Sequence, residues 1–401
     1  MRLVIHTQYY PPEMGAPQAR LSDLAKRFVE HGHQVYVLTA MPNYPQGRIH
    51  SGYGGFVRRE ERDGVSIIRT FIYPTKSVGV VCRLANYFSF VFSSLVIGTF
   101  LLPKVDFLIT ESPPLFLGIS GWLLSRLKGA RWVLNVSDLW LESLRAFGVL
   151  REGNLINKLL NGMSHFLYRK AWLVTGQSKE IVAEIQRQVP SGQVYHLSNG
   201  VDLDSFHPTK RDEQIRQRYL NEGETGFVYA GLHGFFQGLD QIILCADRLR
   251  GEPVRFLLFG DGSEKEAMMK MASDLGLTNV DFHPPIPHGR IPSIIASMDV
   301  AVIPLRKAIR GSVPSKIYEA MASSIPVLLV ANGEAREIVE KAGAGVAVDP
   351  GNIDELARAV RELTRRPEWR GRMGRSGRQA TEDSYDRTKI IKTFETVLTG
   401  K

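Results

Sequence analysis

The sequence predicts an α/β protein of two successive domains, each a parallel sheet covered by helices. Three observations carry this. Short apolar runs alternate with helix-period stretches along the chain, the alternation restarts after residue 200, and 401 residues suffice for two or three ordinary cores. In the first half, the runs at 2–6 (RLVIH), 34–39 (QVYVLT), 66–70 (SIIRT), 105–110 (VDFLIT), 131–136 (RWVLNV) and 172–176 (WLVTG) read as strands. A helix is expected at 17–31, where Ala19, Leu21, Leu24, Ala25 and Phe28 share one face. After SNGVD (198–202) a second series follows at 226–230, 254–259, 279–283, 299–303, 326–330 and 345–348. Such alternation implies parallel sheets with helices on both faces, hence two Rossmann-like domains with a hinge near residue 200.

Composition narrows the class. With 44% hydrophobic and 23% charged residues, the chain is neither a disordered tail nor a polytopic membrane protein. Cys82 and Cys245 give no zinc spacing and no disulfide framework, which points to a reducing cytoplasm. The N-terminal apolar run is too short for a signal peptide. The net charge of +9 sits entirely in residues 1–200, which hold 22 Lys/Arg against 13 Asp/Glu. That asymmetry implies an anionic partner: a membrane surface or a phosphorylated substrate. Nucleic acid ranks last, because no helix-turn-helix, zinc-finger or RNA-binding signature is present. Residues 84–102 (LANYFSFVFSSLVIGTFLL) approach the ~20 residues of a bilayer span. Asn86 and three serines interrupt them and strands flank them, so a buried crossover helix is expected, with partial exposure at a membrane surface as the alternative.

Five segments carry candidate chemistry. In YYPPEMGAPQARLSDLA (9–25) a Pro-rich loop leads through Gly15 and Ala16 into a helix opened by Pro17. Backbone N–H groups there can approach a phosphate closely, although a plain strand–helix turn has the same look. In TESPPLFLGISGWLL (110–124) followed by NVSDLWLESL (135–144), Asp138 and Glu142 stand just past a strand end, where carboxylates can accept hydrogen bonds from a substrate hydroxyl; helix capping by Ser137 or Asp138 is the alternative. YAGLHGFFQGLDQII (229–243) repeats the strand–glycine loop–helix arrangement with Gly231 and Gln237, and FGDGSEK (259–265) ends a strand with Gly260 and Asp261. In IPLRKAIRGSVPSKIYEAMASSIPVLLV (303–330), Arg306, Lys307, Arg310 and Lys316 crowd one loop without nearby acids. Ser315, Lys316 and Glu319 open the helix that follows, and Lys316 and Glu319 project on one side to meet a phosphate and a ribose diol, or else each other in a salt bridge. Asp202 and Asp204 form a DxD pair that can hold a metal, but their place after Asn199-Gly200 favours turn chemistry.

Taken in order, the Gly15 loop, SNGVD, the Gly231–Gly238 loop, FGDG (259–262), PSKIYEAMASSIPVLL (314–329) and EKAGAGVAVDPGN (340–352) resemble glycosyltransferase family 4 over nearly the whole chain. The resemblance implies the GT-B fold, two Rossmann-like domains facing each other across a cleft. It assigns 1–200 to acceptor binding and 201–383 to the nucleotide sugar, with a last helix at 384–401 that crosses back to the N-terminal domain. YAG…QGL and SVPSKIYEAMA look most like the WbuB-type branch, which builds O-antigen or capsule repeats from acetamido sugars. Many family members carry an Arg after the first glycine of the 231–238 loop and a Lys before the last; here Leu232 and Gln237 stand there. Of the family's E-x7-E pair, the second matches Glu319, implied to bind ribose, and the first falls on Gly311.

The function so implied is a retaining glycosyltransferase moving a sugar, an N-acetylated amino sugar, from UDP to a lipid-pyrophosphate-linked or oligosaccharide acceptor in surface polysaccharide synthesis. Lys316 and Arg310 would neutralise the diphosphate and Asp138 would orient the acceptor hydroxyl, with no metal or other cofactor. The enzyme would sit in the cytoplasm, peripherally on the inner face of the membrane. A UDP-sugar 2-epimerase of the same architecture and a non-catalytic nucleotide-sugar-binding protein are the alternatives.

Overall fold

Every apolar run read as a strand forms one, within two residues, because strands of a parallel sheet are buried on both faces and read as near-continuous hydrophobic runs. The computed structural model describes residues 1–400 except Met14, Pro45, Val78, residues 147–153 and Ala308, and leaves out the side chains of Ser143, Ala146 and His288. The chain divides into two units, Met1–Ser198 and Asn199–Lys401.

In the first unit the strands are β1 (Arg2–His6), β2 (Gln34–Ala40), β3 (Val57–Arg62), β4 (Val65–Thr70), β5 (Phe107–Ser112), β6 (Arg131–Val136), β7 (Leu173–Gly176) and β8 (Val194–His196). Their order is β3-β4-β2-β1-β5-β6-β7-β8, parallel except for β3, which runs antiparallel to β4. The order reverses between β1 and β5, so the crevice beyond their carboxyl ends is the topological binding position. Among the described residues six helices surround the sheet: α1 (Ala16–Glu30), α2 (Val80–Leu101), α3 (Leu117–Lys128), α4 (Trp140–Ala146), α5 (Leu155–Lys170) and α6 (Lys179–Gln188). Helix α2 is the crossover from β4 to β5, as expected, but it is not a buried one. Only 22% of its apolar window lies inside the protein. Its buried positions are Asn86, Phe90, Ser94 and Gly98, because the polar side chains find partners on the sheet while most of the aromatic ones face outward.

The second unit holds β9 (Thr225–Ala230), β10 (Val254–Phe259), β11 (Val280–His283), β12 (Val300–Pro304), β13 (Val327–Val330) and β14 (Gly345–Val348). All pairs are parallel, in the order β11-β10-β9-β12-β13-β14, with the reversal between β9 and β12. The helices are α7 (Glu213–Tyr219), α8 (Asp240–Arg248), α9 (Lys265–Asp274), α10 (Ile291–Ala296), α11 (Lys316–Ala322), α12 (Glu334–Lys341), α13 (Ile353–Arg365), α14 (Pro367–Ser384) and α15 (Arg387–Thr399). Phe227, Phe256, Ile242, Val302, Leu328 and Val360 centre one core between sheet and helices. The start of α15 is tied to the first residues of the unit: Arg387 donates to Asn199 O at 2.9 Å and to Gly200 O at 3.0 Å.

Candidate active site

In the second unit, the loop after β9 is fixed by the end of β10. Gly231 N donates to Phe259 O at 2.8 Å and His233 N to Asp261 O at 2.8 Å. Gly260 sits at φ +149°, and a Cβ on it would overlap Gly231 O, while one on Gly262 would overlap His233 O. The two glycines of FGDG therefore serve close backbone approach. Asp261 itself is exposed and its carboxylate accepts from Gly262 N at 2.9 Å.

Lys316, the first residue of α11, reaches back over this loop. Its Nζ lies 2.8 Å from where a Gly231 Cβ would stand and 5.8 Å from the centroid of the Tyr229 ring. No carboxylate pairs with it, and it makes no hydrogen bond among the described residues. The alternative of a Lys316–Glu319 salt bridge is thus not realised. Glu319 instead accepts from Ser315 Oγ at 3.2 Å. An ammonium held over bare backbone at the carboxyl ends of β9 and β12, without a counter-charge, is suited to an anionic group.

The basic loop is less uniform than its sequence suggests. Arg306 is bound to Asp240 through both guanidinium nitrogens, at 3.1 and 3.0 Å, and its Nε donates to Phe235 O at 2.8 Å. The expectation of a loop without acids therefore fails for Arg306, whose partner lies 66 residues earlier in sequence. Arg310 is exposed in the turn that Gly311 completes at φ +78°. Gln237 occupies a short helical turn (Phe235–Gln237), its Oε1 buried without a partner among the described residues.

His233, which the sequence did not single out, is fully buried, and neither ring nitrogen has a hydrogen-bond partner among the described residues. Burial, with the Lys265 charge nearby, pushes its pKa down to about 4, so the ring is neutral at pH 7. Asp202 makes turn contacts: it accepts from Asp204 N at 3.1 Å and from Ser205 Oγ at 2.7 Å.

In the first unit, Gly15 and Ala16 are exposed at the start of α1. Arg20, one turn further on, donates to Glu111 at 2.6 Å and to Ser137 Oγ at 2.9 Å. Glu111 ends β5 and is only 3% exposed; Asn135 Nδ2 donates to it at 2.6 Å, and so does the Ser137 hydroxyl. Burial raises the Glu111 pKa, against the pull of Arg20 and Asn135. Thr175 and Gln177 continue the network to β7, bonding Asn135 Oδ1 at 2.6 Å and Ser137 Oγ at 2.8 Å. The Ser137 hydroxyl is thereby committed to Glu111. Asp138, half-buried, follows it. Glu142 lies on α4 and pairs with Arg145 at 2.9 Å, which also holds Asn157 and Asn161 of α5. Sequence reasoning missed Arg20 and Glu111; the one available signal was a carboxylate at the end of the apolar run FLITES.

Comparison with known proteins places both units. Residues 15–200 match the family model described as glycosyl transferase 4-like domain, and residues 210–380 match glycosyl transferases group 1. The chain belongs to the group 1/family 4 glycosyltransferases of GT-B fold and is a transferase enzyme. It is 25% identical to the putative colanic acid biosynthesis glycosyl transferase WcaI of Escherichia coli K12, over all of both chains. With the probable glycosyltransferase WbjE of Pseudomonas aeruginosa it shares 27% identity, over 64% of this chain and 66% of that one. Anabaena HepE, solved with UDP-glucose, superposes with a TM-score of 0.75 at 16% identity over all of both chains, a likeness of fold.

Proposed function

We propose that this enzyme transfers an N-acetylated amino sugar, with retention of configuration, from a UDP-sugar to a lipid-pyrophosphate-linked or oligosaccharide acceptor in surface polysaccharide synthesis, O-antigen, capsule or exopolysaccharide. The observation that carries the donor assignment is the Lys316 ammonium, held over Gly231 without a counter-charge among the described residues. Full-length similarity to WcaI and the UDP-glucose complex of HepE support the same reading.

The donor lies against the second unit. Gly231 and Gly260, having no side chains, let the diphosphate approach the backbone beside Lys316; Gln237, Asp261, Arg310 and Ser315 border it, and Glu319 takes the ribose hydroxyls. The acceptor hydroxyl attacks the anomeric carbon on the face of the leaving group: the new C–O bond forms, the bond to diphosphate breaks, and the hydroxyl proton passes to the diphosphate oxygen. Catalysis then rests on stabilising the departing dianion, the task of Lys316, more than on a protein base. Asp138 orients the acceptor hydroxyl, and Glu142 offers the oxygen that Arg145 does not take. No metal is required, and the protein works in the cytoplasm, peripherally on the inner membrane face.

The test is purified protein with a UDP-N-acetylhexosamine and a polyprenyl-diphosphate-linked sugar, scored by UDP release and by the anomeric configuration of the product. UDP release that depends on acceptor, with configuration retained, is expected. Acceptor-free conversion of the UDP-sugar to its 2-epimer would replace this reading with the epimerase.

A further inference from the structure

Helix α2 buries Asn86, Ser94 and Gly98 beside Phe90 and leaves much of its apolar surface outward, the reverse of the usual helix on the surface of a soluble domain. Inward, Gln8 Nε2 donates to Asn86 Oδ1 at 2.9 Å, Asn86 Nδ2 donates to Tyr73 O at 2.6 Å, and His6 Nε2 lies 3.1 Å from Ser94 Oγ. Gly98 packs against Leu38 and Leu124. These contacts pin the helix along the sheet, so it does not span a bilayer here. Outward, Val81, Phe88, Phe92, Val96 and Phe100 recur every four or seven residues; Phe92 is 70% exposed and Phe100 78%. They line an apolar stripe along a helix of 22 residues, about 33 Å long.

Charge identifies what covers this stripe. Helix α3 lies between α2 and α5: its Leu124 meets Gly98 and its Gly118 meets Leu167. Helix α5 continues the exposed apolar surface with Leu155 and Leu159. Together the three helices expose Arg83, Arg126, Lys158, Arg169 and Lys170, while Lys128 donates to Thr99 O and Leu102 O, and they carry not one Asp or Glu. A second copy of the chain seated face to face would set these cations against one another, which is unfavourable. A surface of anionic phospholipid satisfies both features, since its headgroups complement the cations and its acyl boundary accepts the phenylalanines.

We infer that the α2–α3–α5 face of the first unit is a docking surface for an anionic phospholipid bilayer, with α2 lying flat and Phe92 and Phe100 entering the headgroup–acyl boundary. This names the surface behind the peripheral attachment proposed above. It does not depend on the donor or on the transfer reaction, and it is tested without either.

The experiment is flotation of the full-length protein with vesicles of phosphatidylcholine alone or of phosphatidylcholine and phosphatidylglycerol in equal parts. Wild type is compared with Phe92→Ser/Phe100→Ser and with Arg126→Glu/Lys158→Glu, all four positions lying on the exposed surface. Wild type is expected to partition at least about tenfold better onto the anionic vesicles, and each double variant to lose about tenfold or more. Unchanged melting temperatures would show that the variants fold. Wild-type protein that ignores both vesicle types, or a phenylalanine variant that floats like wild type, would overturn the inference. So would a phenylalanine variant that keeps vesicle binding but turns a dimer into a monomer in light scattering, since a second copy would then cover the face.

Discussion

The Lys316 ammonium rests over Gly231, close enough that a methyl group on Gly231 would stand 2.8 Å from Nζ. A loop glycine and a helix-opening lysine 85 residues apart thus act as one unit: the glycine supplies the space and the lysine the charge.

Replacing either residue should impair donor binding. A charged hydrogen bond contributes about 1.5–3 kcal/mol, so Lys316→Ala should weaken UDP binding roughly 10- to 150-fold in calorimetry. Gly231→Ala is the sharper test. Its methyl group meets the mobile end of the Lys316 side chain and, at 3.0 Å, the Tyr229 hydroxyl, so the ammonium is displaced, and a melting temperature checks that the fold is kept. UDP affinity unchanged in both variants would remove Lys316 from the diphosphate site.

Arg20 and Glu111 form the corresponding pair of the first unit, at 2.6 Å and with side chains 14% and 4% exposed. Arg20→Ala leaves a buried carboxylate without its cation, a loss of about 3–5 kcal/mol. Adding Glu111→Ala should restore part of it, because no charge is then stranded. Urea unfolding followed by tryptophan fluorescence reads this unit selectively, since Trp122, Trp132, Trp140 and Trp172 lie in it and only Trp369 does not. A double variant less stable than Arg20→Ala alone would contradict the pairing argument.

These two pairs show what the sequence carried and what it withheld. Gly231 and Lys316 were legible because each stands at a strand end beside a loop, where topology alone predicts a ligand. Arg20 and Glu111 are 91 residues apart, and no local pattern joins them. The same limit hid β3 and β8 at the sheet edges: β3 reads VRREER with mostly exposed side chains, and β8 is three half-buried residues. An edge strand buries little and so lacks the apolar run that marks its neighbours. For α2 the sequence showed an apolar helix but not its rotation, which is set by His6 and Gln8, 88 and 78 residues from their partners Ser94 and Asn86.

Acid should destabilise both units through buried neutral histidines. Burial lowers the His6 pKa to about 3 and, with Lys265, the His233 pKa to about 4, against 6.5 for an unhindered ring. A depressed folded-state value means the unfolded chain takes up the proton first, so stability present above pH 6.5 is lost as pH falls towards 4. His233→Phe, which keeps a ring against Tyr229 and Phe282, should flatten the fall in melting temperature between pH 7 and 5. An equally steep fall in the variant would mean that His233 is not buried neutral.

Turnover should persist in EDTA. The Asp202 carboxylate is engaged with Asp204 N and Ser205, and Lys316 is placed to meet diphosphate charge directly. A complete loss of activity in chelator, restored only by Mg²⁺ or Mn²⁺, would return the Asp202/Asp204 pair to consideration.

The donor sugar should be an N-acetylhexosamine in preference to glucose. Resemblance to the wider family implies a carboxylate at position 311 that holds hydroxyls of the transferred sugar; here Gly311 stands there, at φ +78°, a backbone conformation that favours glycine over any side chain. A site built to bond a hydroxyl discriminates strongly against sugars that lack it, because its own buried group would be left unpaired. Without that carboxylate the discrimination falls away, and a bulkier or less hydroxylated sugar is admitted. Gly311→Glu offers a reciprocal test, since a carboxylate restored there should move preference towards glucose at some cost in backbone strain. Competing UDP-glucose against UDP-N-acetylglucosamine and UDP-N-acetylgalactosamine, with turnover and UDP displacement measured in parallel, decides the matter. A clear preference of the native enzyme for UDP-glucose would show that another residue, with Arg310 and Ser312 nearest in sequence, has taken over the missing contact.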